Sequence, residues 1–104
     1  VYKRQLLTSL KLIMAKSKIM IENSKVRVTE WVFDLGDETG QHIHEYDYVV
    51  VPMKDGILKI VNEDNSITFS ELKKGISYFR EKGVSHNVIN ANKFQYSFIE
   101  IEIK

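Results

Sequence analysis

The sequence predicts an all-β barrel, and three observations predict it. β-Branched and aromatic residues gather in short runs such as Val26–Phe33 and Ile67–Leu72. Turn formers separate these runs at nearly even spacing: Asn23-Ser24, Asp55-Gly56, Asp64-Asn65, Gly75 and Gly83. No stretch keeps a helical period long enough to compete. Short strands at even spacing are the mark of an antiparallel sandwich or barrel. With 104 residues there is room for one such domain and a modest core.

Taken in order, the first strand is expected at residues 19–21, followed by a turn at Glu22-Asn23-Ser24. The run Val26–Phe33 is the second strand, and Asp34 to Asp37 form a loop. Residues 41–53 read as one long strand, with Val49, Val50 and Val51 apolar on both faces as in a doubly covered sheet. Lys54-Asp55-Gly56 reads as a hairpin turn into a strand at 57–61. Further strands follow at Ile67–Leu72, 76–80 and 84–90, with turns at Glu63 to Ser66, Lys73 to Gly75 and Glu81 to Gly83. In the last strand, 94–103, the apolar phase moves from Phe94, Tyr96 and Phe98 to Ile99, Ile101 and Ile103, which predicts a bulge near Phe98. Residues 1–13 show no such pattern. Lys3 and Arg4 precede a short apolar run, but Thr8, Ser9 and Lys11 interrupt it, and it lacks a clean small-residue cleavage pattern. Met14 is a natural start, so residues 1–13 are expected to lie outside the fold as upstream sequence, with residues 14–104 forming a single domain.

Composition narrows the function classes. Hydrophobic residues at 43% and charged residues at 28% are ordinary for a soluble globular chain, and a cytoplasmic protein is expected. There is no cysteine, hence neither disulfide framework nor thiolate metal site. Net charge is +1; dropping residues 1–13 removes Lys3, Arg4 and Lys11 and no acid, which takes it to −2. No basic run interleaves with aromatics, so nucleic acid is not an expected partner. No apolar segment is long enough to span a membrane, and none is expected as a partner either.

The chemistry concentrates in two stretches. Gly36-Asp37-Glu38-Thr39-Gly40-Gln41-His42-Ile43-His44 runs on through Tyr46, Tyr48 and Pro52 to Gly56; its partner holds Gly75, Gly83, His86 and Asn90. All three histidines of the chain fall inside them. On a strand, His42 and His44 would share a face roughly 6.6 Å apart, and strand pairing could bring His86 alongside. Three neutral imidazoles suit one divalent ion. By the same alternation Tyr46 and Tyr48 face inward with the histidines, Asn90 shares a side with His86, and Tyr78 and Arg80 share one on the preceding strand. Arg80 reads as a surface ion pair or as a clamp on a substrate carboxylate. Glu30, mid-strand, is expected on a solvated outer face.

These stretches resemble the two motifs of the cupin superfamily, G-x5-H-x-H and G-x5-E-x-G-x2-H-x3-N as they stand here, over residues 26–104. The resemblance is to small single-domain members. It implies a double-stranded β-helix, a cupin-type jelly-roll barrel, with His42, His44 and His86 as metal ligands. Two positions depart from the family: Glu81 stands where proline is usual, and Tyr48 stands where a fourth-ligand glutamate is usual.

Tyr48 is then either a barrel filler or, functionally, a hydrogen-bond donor to a group on the metal or a weak ligand in place of the missing carboxylate, and it is the residue assigned a catalytic role. Without the glutamate, three histidines leave the ion's charge uncompensated, which attracts anionic ligands and lowers the pKa of bound water. Iron(II) is the first expectation for the ion, with manganese, nickel or zinc as alternatives. The function expected is a metal-dependent oxygenase or lyase acting on a small organic acid, with Tyr46, Tyr78, Arg80 and Asn90 as candidate substrate contacts. The alternative is a non-catalytic cupin that binds a metal or small ligand. Exposed strand edges and the apolar Val26–Phe33 and 94–103 strands predict a homodimer.

Overall fold

The computed structural model describes residues 13–104, which fold as nine strands in two antiparallel sheets and contain no helix. The strands are β1 Lys16–Glu22, β2 Val26–Phe33, β3 His42–Ile43, β4 Asp47–Pro52, β5 Gly56–Asn62, β6 Ile67–Leu72, β7 Tyr78–Arg80, β8 Ser85–Asn90 and β9 Tyr96–Ile103. One sheet has the order β1-β2-β9-β4-β7 and the other β3-β8-β5-β6. The all-β expectation therefore holds. The inner faces meet on a core of Phe33, Tyr48, Val50, Leu58, Leu72, Val88, Tyr96 and Phe98. Alternation puts these residues inside: Tyr48, Val50 and Pro52 of β4 are buried, while Asp47, Val49 and Val51 between them are only half-buried.

The structure corrects five expectations about the elements. Residues 41–53 are not one strand. β3 lies in the four-stranded sheet and β4 in the five-stranded sheet, so His44, Glu45 and Tyr46 form the crossing between them. Lys54-Asp55-Gly56 is not a hairpin turn, because β4 and β5 do not pair; it carries the chain from one sheet to the other. β9 has no bulge at Phe98. Its register runs unbroken against β2 and β4, and Tyr96, Phe98, Glu100 and Glu102 all stay on the buried face. The irregularity lies in β1, between Ile19 and Ile21, and β1 starts at Lys16 rather than at 19. Nor, among the described residues, is the five-stranded sheet covered on both faces. Val28, Ile101, Val49 and Phe79 form a cross-strand row on its outer side, and Phe79 is exposed.

Glu30 faces the outer side, as expected, one step out of phase with the buried Thr29 and Phe33. Residues 1–12 lie outside the described residues, and with them most of the expected extension. Ile13 is described: its carbonyl accepts the Glu38 N–H at 2.8 Å, and the Ala15 N–H donates to the Glu38 carbonyl at 2.9 Å. Gly56 opens β5 where the buried Tyr96 ring passes. A Cβ there would come within 2.5 Å of a ring carbon, so only glycine fits without displacement.

Candidate metal centre

The three histidines do meet, but by a different route from strand alternation. β3 pairs with β8 and sets His42 directly opposite His86. His44 lies beyond the end of β3, in the crossing. There its N–H donates to the Val84 carbonyl at 2.9 Å and its carbonyl accepts the Gly83 N–H at 2.8 Å. Gly83 has φ +93°, a left-handed conformation that glycine adopts freely, and so brings this second stretch against the first. The result is that the Nε2 atoms of His42 and His44 lie 3.0 Å apart, and those of His44 and His86 3.1 Å apart.

The tautomer of His42 follows from its partner. Nδ1 lies 2.9 Å from the Gly40 carbonyl, which can only accept, so Nδ1 carries the proton and Nε2 presents its lone pair. Asn87 fixes this loop: its Oδ1 accepts the Gly40 N–H at 3.0 Å and its amide donates to Glu38 at 3.2 Å. Burial, with His42 adding to it, pulls the His44 pKa down to about 4 against a small opposing pull from Glu102. Burial first, then His42, His44 and Arg80, lowers His86 to about 3. Both rings are therefore neutral at physiological pH, the state that binds metal. Three nitrogens about 2.1 Å from one ion would stand about 3.0–3.4 Å from each other at octahedral to tetrahedral angles. The His42–His44 and His44–His86 spacings fall in this range, all three ligand nitrogens lie within 4.8 Å of one another, and the three residues are the group able to hold an ion among the described residues.

A cavity of about 200 Å³ opens beside the histidines into the barrel interior. Tyr48 lines it and stacks flat on His44, with ring centroids 3.9 Å apart and an angle of 16°. The Tyr48 hydroxyl is buried with no hydrogen-bond partner, and burial holds its pKa far above the ordinary tyrosine value. Tyr78 and Arg80 also line the cavity, the guanidinium standing 4.8 Å from the Tyr78 ring centroid.

Two of the expected substrate contacts lie elsewhere. Tyr46 falls in the crossing, where strand alternation no longer applies; it is half-buried under Arg27, 5.9 Å from guanidinium to ring, and outside the cavity. Asn90 is a structural bracket. Its side-chain amide donates to the carbonyls of Phe33, Asp34 and Phe94, and its oxygen accepts from Asn92.

The inward residues of β2 and β9 went unread in the sequence. Trp31 and Glu100 line the cavity, and Glu102 borders a second, more open hollow on the outer side of the histidines. Arg27 clamps Glu102 with two bonds, Nε to Oε1 at 2.9 Å and Nη2 to Oε2 at 2.7 Å. The signal was the even phase of Tyr96, Phe98, Glu100 and Glu102, with a complementary arginine on β2.

Similar proteins sharpen the picture. No protein-family model matches the chain. It is 46% identical over 86 residues to the β-alanine degradation protein BauB of Pseudomonas aeruginosa, covering 83% of this chain and 90% of that protein. Among solved structures it is similar to a cupin domain from Bordetella pertussis, with 47% identity, a TM-score of 0.85, and coverage of 88% of this chain and 94% of that one. An RmlC-like cupin family protein with a double-stranded β-helix fold from Methanocaldococcus jannaschii shares the fold at 15% identity and a TM-score of 0.72, over 88% of this chain and 81% of that one.

Proposed function

The chain belongs to the cupin superfamily, and on that premise we propose that it is a metal-dependent enzyme, an oxygenase or lyase acting on a small organic acid at a three-histidine site. The convergence of the His42, His44 and His86 Nε2 atoms beside a cavity in the barrel is the observation that carries this reading. Three neutral nitrogen donors and no cysteine suit iron(II) first, with manganese, nickel and zinc next. When bound, such an ion supplies Lewis-acid stabilisation of an oxyanion, and iron adds dioxygen chemistry. The protein's own groups do the rest. Arg80 and Tyr78 orient the far end of the ligand, and Tyr48 holds the His44 ring flat and offers its hydroxyl to the ligand. The similarity to BauB favours an acid the size of β-alanine or its breakdown products, which a cavity of this volume accommodates.

Metal analysis after reloading with each of the four ions tests the site; failure to take up one equivalent of any of them ends the reading. Oxygen uptake across a panel of short acids then separates the enzyme from a non-catalytic cupin, which would bind without turnover.

The assembly we infer is a homodimer. The outer row of Val28, Ile101, Val49 and Phe79 is an apolar face that the chain leaves uncovered, and β1 is exposed on both sides with Ile19, Met20 and Ile21. A monomer mass by light scattering at micromolar concentration would refute it. Among the described residues no helix is long and apolar enough to cross a membrane. The cytoplasm, where reducing conditions protect a ferrous ion, is the compartment we infer, and cell fractionation checks it.

A further inference from the structure

Two carboxyl groups face into the barrel from β9, and only one cation serves them. Glu100 and Glu102 are 8% and 7% exposed. Both oxygens of Glu102 are taken by Arg27. Among the described residues no ion pair reaches Glu100. Its cross-strand neighbours are the buried Thr29 on β2 and Val50 on β4, neither of which carries charge. An ionised carboxylate in such a place is uncompensated, and that state costs several kcal/mol. Neutralisation by a proton is the cheaper solution.

A second observation points to a ligand at the same place. The Trp31 indole N–H and the Tyr48 hydroxyl are both buried without a hydrogen-bond partner, and Tyr48 is only 2% exposed. Trp31, Tyr48 and Glu100 all line the cavity beside the histidines. Trp31 and Tyr48 thus bring an unpartnered donor each, and Glu100 its carboxyl, to one cavity from three strands. Native proteins seldom leave buried donors empty unless something fills them.

We propose that Glu100, held as the neutral acid, donates a hydrogen bond to an oxyanion ligand in this cavity, alongside the Trp31 N–H and the Tyr48 O–H. The proposal deepens the organic-acid reading above and rests on it. One proton moves no further than the Glu100 carboxyl, and no bond to carbon changes.

The groups around Glu100 support the neutral form. Burial, then the charge of Glu102 beside it and a side-chain hydrogen bond with Glu102, push the Glu100 pKa well above the ordinary carboxylate range. From β2, Trp31 and Arg27 pull weakly the other way; the indole does so without meeting hydrogen-bond geometry. From β4 and β7, Tyr48 and Tyr78 are neutral phenols, and Arg80 stands over the Tyr78 ring without forming an ion pair to Glu100. The neutral His44 and His86 rings stand across the cavity with His42.

The test compares zinc-loaded wild type with Glu100→Gln, which keeps the shape and an N–H donor but cannot titrate. Propionate is the probe, and calorimetry from pH 6 to pH 8.5 in buffers of different ionisation heat is the readout. Wild-type affinity is expected to fall by up to about tenfold per pH unit more steeply than that of the variant, with up to about one more proton taken up on binding. Equal slopes and equal proton uptake overturn the proposal and leave the organic-acid reading standing. Zinc uptake with no propionate binding to either protein overturns both. β-Alanine binding tighter than propionate, with the preference lost in Glu100→Gln, also overturns the proposal, because Glu100 would then be charged and reading an ammonium group. A ligand-free check is the infrared carbonyl band of a protonated carboxyl, expected in wild type at neutral pH and missing from the variant.

Discussion

The cavity has two walls that solve the same problem in opposite ways. On the histidine wall, the Nε2 atoms of His42 and His44 lie 3.0 Å apart and those of His44 and His86 3.1 Å apart. On the carboxyl wall, Glu100 and Glu102 stand side by side, and Arg27 pairs with Glu102 alone. Each wall packs like charge or like dipole together, an arrangement unfavourable by itself. On the readings proposed above, a cation would relieve the histidine wall and a proton the carboxyl wall. The lesson is that a buried polar cluster is best read by what it lacks. Missing positive charge among nitrogens indicates a metal, whereas missing counter-charge beside a single carboxyl indicates a titration.

The largest expected effect comes from breaking the histidine wall. His86→Ala removes one of three donors and should weaken metal binding by more than roughly a hundredfold, measured by competition with a chelating dye. The fold should persist, since His86 does not belong to the apolar core. If the variant holds metal as the parent does, the two walls do not differ in the way described.

Breaking the carboxyl wall should act on stability instead. Arg27→Met leaves two buried acids with no cation and should cost about 3 kcal/mol by chemical denaturation. That is the low end for a broken buried pair, because the arginine side chain is 31% exposed. Metal affinity should change far less than in His86→Ala.

The walls should also pull stability in opposite directions with pH. His44 and His86 have folded values of about 4 and 3 against the ordinary 6.5. Their contribution is full above pH 6.5 and is lost as pH falls toward those values. Glu100 is raised above its ordinary 4.5, so its contribution is full below pH 4.5 and is lost as pH rises toward its folded value. In metal-free protein the two slopes oppose each other between about pH 4.5 and 6.5. Thermal melts should therefore show Glu100→Gln losing stability on acidification more steeply than wild type. Parallel curves would show that Glu100 titrates normally.

The smallest expected change is Tyr48→Phe. The hydroxyl has no partner inside the protein, so its removal should shift stability by less than about 1 kcal/mol, in either direction. Stacking on His44 survives, so metal content should hold while turnover or ligand affinity falls. Unchanged ligand affinity and turnover would make the ring a filler.

Much of this was legible in the sequence, and the failures have physical causes. Turn residues and β-branched runs located most strands because those signals are local. The histidine pattern pointed to a shared ion because three imidazoles in two glycine-framed stretches are a chemical signature. The route by which they meet was not legible. A strand of two residues followed by a crossing looks, in sequence, like one continuous strand. The acids of β9 were missed for a related reason. Ile99, Ile101 and Ile103 repeat with period two as well as Tyr96, Phe98, Glu100 and Glu102 do, and alternation alone does not say which face is inside. The inner face went to the set that held two charges, because that face borders a cavity with polar work to do. Tyr46 shows the same limit, because β3 ends before it; Asn90 stays on the unbroken β8 with His86 but four positions along, where its amide ties Phe33, Asp34 and Phe94 instead.

One tie between the two stretches bears on how the protein comes together in time. His44 is held by backbone bonds to Gly83 and Val84, and its ring meets that of His86, 42 positions away along the chain. Loops of that length close late, after the local hairpins have formed. Ion capture should therefore lag behind the gain of strand structure during refolding, and the filled site should report a finished barrel. A chain cut off before β8 would carry two of the three histidines and have nothing with which to complete the set.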